Sequence, residues 1–93
     1  MRLNRRRSDV EIIADMLEVG ENGAGKTEIM YSVNMSYRQI QKYLGFLMAQ
    51  GFIDRMKMGN PSVTYRVTDS GLKLLELLNR IKEMLGLDEQ TNL

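Results

Sequence analysis

The chain has 93 residues, a length that corresponds to one small domain. It contains no cysteine and no histidine, which excludes disulfides, thiolate metal sites and the commonest general base and metal ligand. No apolar run approaches the roughly 18 residues of a transmembrane helix, and no signal-peptide apolar segment follows the basic N-terminus. We therefore expect a cytoplasmic protein that is not an enzyme and needs neither metal nor cofactor.

The net charge of +1 conceals an uneven distribution of charge. Residues 1–7 contain four arginines and no acidic residue, whereas residues 8–35 contain six acidic residues and one lysine. Residues 36–67 contain five basic residues and one acidic residue, and residues 68–93 are net negative. We expect a polarised molecule whose positive side meets a polyanion. The alternative is that the alternating charge only keeps a small domain soluble.

The first helix is predicted from Asp9 to Val19. Ser8 and Glu11 have the spacing of a capping box, which begins a helix. Apolar residues recur behind it at helical spacing, and they are Val10, Ile13, Met16 and Leu17. Three glycines within residues 20–25 then predict a loop.

Two helices separated by a tight turn are predicted next, over residues 26–33 and 36–50. The turn lies at residues 34–35, and Ser36 with Gln39 forms a second capping box. The apolar stripe of the later helix consists of Ile40, Leu44, Leu47 and Met48. This stripe predicts the buried side of the helix and leaves its basic residues on the other faces.

Two strands and a fourth helix complete the predicted order. The strands cover Phe52–Met56 and Ser62–Val67, with turn chemistry between them. Thr68 caps the fourth helix, which ends near Gly86. The predicted elements follow in the order helix, helix, turn, helix, strand, strand, helix. This order predicts an α+β winged helix-turn-helix fold, in which three helices, a β-hairpin wing and a C-terminal helix follow one another.

Several short segments stand at fixed offsets in this part of the chain. They are KTEIMY at 26–31, NMSY at 34–37 and GFI at 51–53, with Gln39, Tyr43, Leu44 and Leu47 among them and the T-x-x-G of Thr68 and Gly71 behind them. These residues resemble a family of small archaeal winged-helix DNA-binding proteins. The resemblance covers residues 9–80. It implies binding of double-stranded DNA and a homodimer formed through an antiparallel coiled coil of the last helix.

The resemblance and the element order divide the chain into four parts. Residues 1–8 form a basic arm, residues 9–67 the winged helix-turn-helix domain, residues 68–86 a dimerisation helix and residues 87–93 a polar tail. Apolar residues at heptad spacing are expected at the dimer interface, namely Leu74, Leu78, Ile81 and Leu85. Because the last helix ends near Gly86, any coiled coil is short.

Residues 20–27, GENGAGKT, match the phosphate-binding pattern G-x-x-x-x-G-K-[ST] at every position. Such a loop follows a buried strand, but the residues before Gly20 have helical periodicity. No later strand ends in an aspartate that could hold magnesium. We therefore predict an ordinary loop and no nucleotide binding. A further hypothesis is that Lys26 and Thr27, which open the second helix, bind a phosphate of the DNA backbone.

Residues 36–50 are the predicted recognition helix. In the major groove, the first residues of such a helix lie nearest the bases. Arg38 can pair with guanine and Gln41 with adenine. The full set of candidate contacts is Ser36, Tyr37, Arg38, Gln41 and Lys42. For Tyr37, as for Tyr43, the alternative is packing in the core with the hydroxyl at the surface, and this alternative is favoured for Tyr43.

The hairpin and the N-terminus supply further candidates. The hairpin would follow a minor groove or a phosphate backbone through Arg55, Lys57, Asn60 and Arg66. The alternative is a solvated strand face. The arm would reach a minor groove through Arg5, Arg6 and Arg7 together with Arg2, or add only diffuse attraction.

Binding of double-stranded DNA, as a transcription regulator or a nucleoid-associated, chromatin-like protein, is the function predicted from these residues. The alternative is a winged helix that docks a protein partner within a larger assembly. Arg38 and Lys42 have no acidic residue near them in the recognition helix, which favours DNA. An apolar exposed face would have favoured a protein.

Overall fold

The computed structural model describes residues 8–57 and 63–86. Its elements are α1 (Asp9–Val19), α2 (Lys26–Val33), α3 (Tyr37–Ala49), β1 (Ile53–Lys57), β2 (Val63–Val67) and α4 (Asp69–Leu85). The predicted winged helix-turn-helix fold is confirmed. The bounds predicted for α1 and α2 are also confirmed, and α3 is shorter than predicted because Ser36 and Gln50 are its caps rather than helical residues.

Both predicted capping boxes form. In the first, the backbone N–H of Glu11 donates to Ser8 Oγ at 3.3 Å, and the backbone N–H of Ser8 donates to Glu11 Oε1 at 3.1 Å. The same exchange joins Ser36 and Gln39 at 3.2 and 3.3 Å. Each box satisfies two backbone donors that a helix start leaves without partners.

The core lies between the helices and the hairpin. Its largest fully buried side chains are Met16, Leu17, Ile29, Val33, Ile40, Leu44, Leu47 and Ile53. The pattern of α1 was predicted incompletely: Ile12 and Ala14 are buried, whereas Val10 and Ile13 are half-buried. The reason is that α1 packs against both α2 and α4, so that it buries a wider face than one stripe.

The hairpin pairs β1 with β2 in antiparallel register, from Ile53 opposite Val67 to Lys57 opposite Val63. A third segment joins its edge, which was not predicted. Ala24 N–H donates to Tyr65 O at 2.9 Å, and Tyr65 N–H donates to Ala24 O at 2.8 Å. The loop between α1 and α2 is thereby fixed to the wing.

The T-x-x-G segment joins the hairpin, the end of α3 and α4. Thr68 Oγ1 donates to the Gly51 carbonyl at 2.7 Å and accepts the Gly71 N–H at 3.1 Å. The Thr68 N–H donates to the Phe52 carbonyl at 3.0 Å. A Cβ at Gly71 would lie 2.2 Å from that same carbonyl oxygen and 2.5 Å from Val67 Cγ1. Only glycine therefore lets α4 begin this close to the hairpin.

The first half of α4 packs against α1, and its second half extends into solvent. Leu75 and Leu78 are buried in the core, and Leu74 packs against it half-buried. Beyond Leu78 the helix is largely exposed as far as its C-cap, Gly86, which has a left-handed φ of 77°.

Candidate nucleic-acid interface

The turn between α2 and α3 places the two helices as a helix-turn-helix. Asn34 ends α2 in the left-handed conformation with φ 56°, a conformation that asparagine tolerates better than most residues. Met35 N–H donates to the Met30 carbonyl at 3.2 Å, and Ser36 then caps α3. Only three residues thus separate the end of α2 from the start of α3.

The outer face of α3 is polar and basic in its first two turns. Arg38, Gln41 and Lys42 are exposed, and residues 36–50 contain no acidic residue. Farther along, the same side of the helix carries Gly45 and Ala49, which are exposed as well. A Cβ at Gly45 would meet no other atom within 4 Å. The exposed face therefore passes from long cationic side chains to very small ones.

Lys26 connects three elements on the wing side of α3. Its Nζ donates to Gln41 Oε1 and, at 3.4 Å, to the hydroxyl of Tyr37. The same Nζ lies 5.1 Å from the ring centroid of Tyr37 and 5.9 Å from that of Tyr65 in β2, both within the range of a cation–π contact. The sequence predicted Lys26 as a phosphate ligand and missed this arrangement. The four-residue spacing of Tyr37 and Gln41 places both on one side of the helix, but no local pattern places Lys26 beside them.

The opposite edge of α3 lies beside α1. Tyr43 is half-buried against the core, as favoured from the sequence, and its hydroxyl donates to Asp9 Oδ1 at 2.6 Å. Lys42 and the half-exposed Phe46 line a groove with Asp9 and Ile13 of α1. The outer face of α3 therefore lies between the Lys26 contacts on one side and this groove on the other.

The wing candidates do not lie on one face. Neighbouring residues of a strand point to opposite sides, and the register places Arg55 opposite Tyr65 but Arg66 opposite Asp54. Arg55 is therefore on the face that contains the Tyr65 ring and Lys26, whereas Arg66 is on the other face, directly across from a carboxylate. Both arginines are exposed. The sequence named both as candidate contacts, and the register places them on opposite faces of the hairpin.

The loop that imitates a phosphate-binding motif has a different structural role. It follows helix α1 rather than a strand, as predicted. Gly23 has a φ of 91°, and a Cβ there would lie 2.9 Å from Thr64 Cγ2. At Gly20 a Cβ would lie 3.2 Å from Val67 Cγ2. The glycines thus let the loop approach β2 closely.

The predicted dimer residues divide into two groups. Leu78 is buried in the domain's own core and Leu74 packs against it, so neither is open to a second chain to the extent predicted. Ile81 and Leu85 are 42% and 65% exposed. Leu77 and Met84, at 53% and 82%, extend this exposed apolar face. The outward stripe is therefore displaced around α4 from the predicted one.

Several candidates lie outside the described residues. They are Arg5, Arg6 and Arg7 of the arm, Asn60 between the two strands and the side chain of Lys57.

Within residues 8–57 and 63–86, no helix combines the length and apolar content needed to cross a membrane. The same residues contain no group of three or more acidic side chains that could hold a metal ion.

Comparison with known proteins finds a matching family and similar proteins. A family model described as winged helix-turn-helix matches residues 6–86. An uncharacterised protein of Methanocaldococcus jannaschii is 35% identical over 86 residues, which are 89% of this chain and 84% of that protein. The crystal structure of Sso10a-2, a DNA-binding protein from Sulfolobus solfataricus, aligns with a TM-score of 0.72 at 30% identity over 91% of this chain and 92% of that one. The resemblance to small archaeal winged-helix proteins is confirmed.

A more distant structure has the same fold. Wild-type ZitR from Lactococcus lactis, solved in complex with DNA, aligns with a TM-score of 0.65 at 15% identity. The alignment covers 98% of this chain and 67% of that one. At this identity the likeness concerns the fold alone.

Proposed function

Since the chain belongs to the winged helix-turn-helix family, we propose that it binds double-stranded DNA with α3 in the major groove. The observation that carries the proposal is the outer face of α3, where Arg38, Gln41 and Lys42 are exposed in the first two turns of a helix without acidic residues. The first turns of a recognition helix lie nearest the base edges. One of the similar structures, Sso10a-2, is described as a DNA-binding protein, which supports the proposal.

Arg38 and Lys42 would divide the contact between bases and backbone. Arg38 has the fork of donors that pairs with O6 and N7 of guanine. Lys42, at the α1 edge of the helix, is a point charge suited to a phosphate. Ser36 and Tyr37 complete the predicted set, although the hydroxyl of Ser36 is already used in the capping box.

The wing contributes a second positive surface. Arg55 is on the hairpin face shared with Lys26, and Lys57 follows it two residues later in β1. We assign these two side chains, with Asn60, to a phosphate backbone or a minor groove. Arg66 contributes less, because it faces Asp54 across the strands. The arginines at 5, 6 and 7 are assigned to an adjacent minor groove.

The start of α2 is assigned to a backbone phosphate. Gly25 caps this helix without a side-chain hydrogen bond, so backbone N–H groups at its first turn remain available to an anion. Thr27 is exposed there. A phosphate on this turn would lie beside Lys26.

We also propose that the protein is a homodimer through the second half of α4. Leu77, Ile81 and Met84 are spaced by four and three residues, the interval of a coiled-coil seam, and all are exposed. A contiguous apolar face on a small domain marks an interaction surface. A dimeric DNA-binding protein can act as a transcription regulator or as a chromatin-like protein of the nucleoid.

Protein docking remains the second candidate function. Phe46 is 50% exposed on α3, and an aromatic side chain at this position is a suitable anchor for a protein partner. The DNA titration below decides between the two, because a protein-docking α3 does not require Arg38.

Titration of a labelled duplex of about 12 base pairs, which admits one recognition helix, tests DNA binding. With four or five phosphate contacts per subunit, affinity should fall about 150- to 500-fold between 50 and 200 mM salt. Arg38→Ala should lose about tenfold in affinity at 50 mM salt. Lys42→Ala should weaken binding and reduce the salt slope by about one contact.

The matched controls are Arg80→Ala and Lys73→Ala, which remove the same side chains from exposed positions on α4. They should bind as the unaltered protein does. Absence of binding at 50 mM salt, or equal losses in the α3 variants and the α4 variants, contradicts the proposed function.

Gly45→Ala should change stability and DNA binding in opposite directions. The added methyl group meets open space, and alanine is the better helix former, so the free energy of unfolding should rise by about 1 kcal/mol. Gly45 is seven residues beyond Arg38, on the same helical face, so the methyl group should reduce DNA affinity several-fold. Urea denaturation and the duplex titration measure the two effects. A stabilised variant with unaltered affinity would show that the DNA does not approach Gly45.

A further inference from the structure

We propose that Lys26 determines the base preference of α3 by holding the carboxamide of Gln41. In this arrangement the NH2 group of Gln41 faces the bases while its carbonyl oxygen faces Lys26. The side chain then selects a keto base, guanine or thymine, rather than the adenine with which glutamine pairs when both its polar atoms are available. This inference rests on the proposed DNA binding and names the specificity of the same surface.

The orientation of the carboxamide follows from the chemistry of its partner. An ammonium group has three donors and no acceptor. The group of Gln41 that contacts Lys26 Nζ must therefore be the carbonyl oxygen, and the structure places Oε1 there. The assignment of oxygen and nitrogen, which is ambiguous for many glutamines, is determined here.

Lys26 is held in position by contacts independent of DNA. Its Nζ is 3.4 Å from the Tyr37 hydroxyl, 5.1 Å from the Tyr37 ring centroid and 5.9 Å from the Tyr65 ring centroid. The residue is half-buried. Since these partners belong to α3 and to β2, the ammonium is localised by the fold of the domain. Gln41 therefore meets DNA with its carbonyl oxygen already engaged.

The consequence concerns hydrogen bonding at the base edge. Glutamine pairs bidentately with adenine by accepting from N6 and donating to N7, which requires both atoms of the carboxamide to point at one base. With Oε1 turned to Lys26, the NH2 group can donate to the keto oxygen of guanine (O6) or of thymine (O4). At adenine it can donate only to N7, beside the N6 amino group, which is a second donor and unfavourable, whereas guanine offers both N7 and O6; cytosine offers only its amino group.

Selection from a randomised duplex library tests the inference with the full chain and with Lys26→Met, Gln41→Ala and Gln41→Glu. The base pair read by Gln41 is the one whose preference disappears in Gln41→Ala. At that pair the unaltered protein should accept guanine and thymine on one strand. Lys26→Met should narrow the preference to adenine, with a change of about tenfold in the ratio of affinities for adenine and guanine duplexes.

Gln41→Glu provides an independent readout, because a carboxylate offers acceptors only and should prefer the amino bases adenine and cytosine. Lys73→Met is the matched control for loss of one positive charge. Unaltered base preference in Lys26→Met, or an equal loss of affinity for all duplexes, overturns the inference while leaving DNA binding intact. Failure of the unaltered protein to bind any duplex at 50 mM salt overturns the proposed function itself.

Discussion

Gly71→Ala is expected to destabilise the domain by about 3 kcal/mol or more, at the upper end of the cost of overpacking a core. The new Cβ would lie 2.2 Å from the carbonyl oxygen of Phe52. That oxygen cannot move away freely, because it accepts the N–H of Thr68 at 3.0 Å, and the Phe52 N–H donates to Leu47 O at 2.8 Å. The start of α4 must instead lift from the hairpin. Melting followed by circular dichroism should show a midpoint lower by about 12 °C or more.

Gly45→Ala is the matched control, since it makes the same substitution within another helix where the methyl group meets no atom within 4 Å. The two variants should change stability in opposite directions. A melting temperature for Gly71→Ala equal to that of the unaltered protein would show that α4 does not begin against Phe52 as described.

The elements were predictable because their ends are encoded by neighbours in the chain. Ser8 with Glu11 and Ser36 with Gln39 bring cap and partner together within one helical turn. Such patterns depend on local geometry alone. The outer face of α3 was predictable for the same reason, since the stripe containing Ile40 and Leu44 identifies the buried side.

The contacts of Lys26 were not predictable, because they join residues that are distant in sequence. Tyr37 and Gln41 are 11 and 15 positions away, and Tyr65 belongs to the wing. The pairing of Ala24 with Tyr65 has the same origin, and a single residue pair leaves no periodic pattern. These contacts exist only once α2, α3 and the hairpin have packed together.

The heptad pattern of α4 does not by itself identify which face of the helix forms the dimer interface. Leu74, Leu78 and Ile81 have the spacing of a dimer seam, but Leu77, Ile81 and Met84 have it as well. The pattern alone does not tell which stripe packs against the domain's own α1. In the structure Leu78 is 8% exposed and Leu77 is 53% exposed, and this difference moves the proposed interface by about one residue around the helix.

The double variant Ile81→Gln/Met84→Gln is expected to be a folded monomer with strongly reduced affinity for long DNA. Both side chains are exposed, and glutamine is a good helix former, so the melting temperature should change by only a few degrees. On a duplex of about 30 base pairs, which offers two half-sites one helical turn apart, affinity should fall about 100-fold because linkage between two recognition helices is lost. On a duplex of about 12 base pairs that admits one recognition helix, affinity should be unaltered.

Comparison of the two duplex lengths separates dimerisation from direct contact with DNA, because loss of a contact would weaken binding to both. Leu72→Gln is the matched control: Leu72 is on the far side of α4 and 39% exposed, and its replacement should preserve both the dimer and the affinity. Sedimentation of the unaltered protein at micromolar concentration measures association directly. A monomer there, or a dimer that survives the double variant, contradicts the α4 interface. In the second case the subunits must meet elsewhere, and the exposed stripe from Leu77 to Leu85 is then a surface for a different partner.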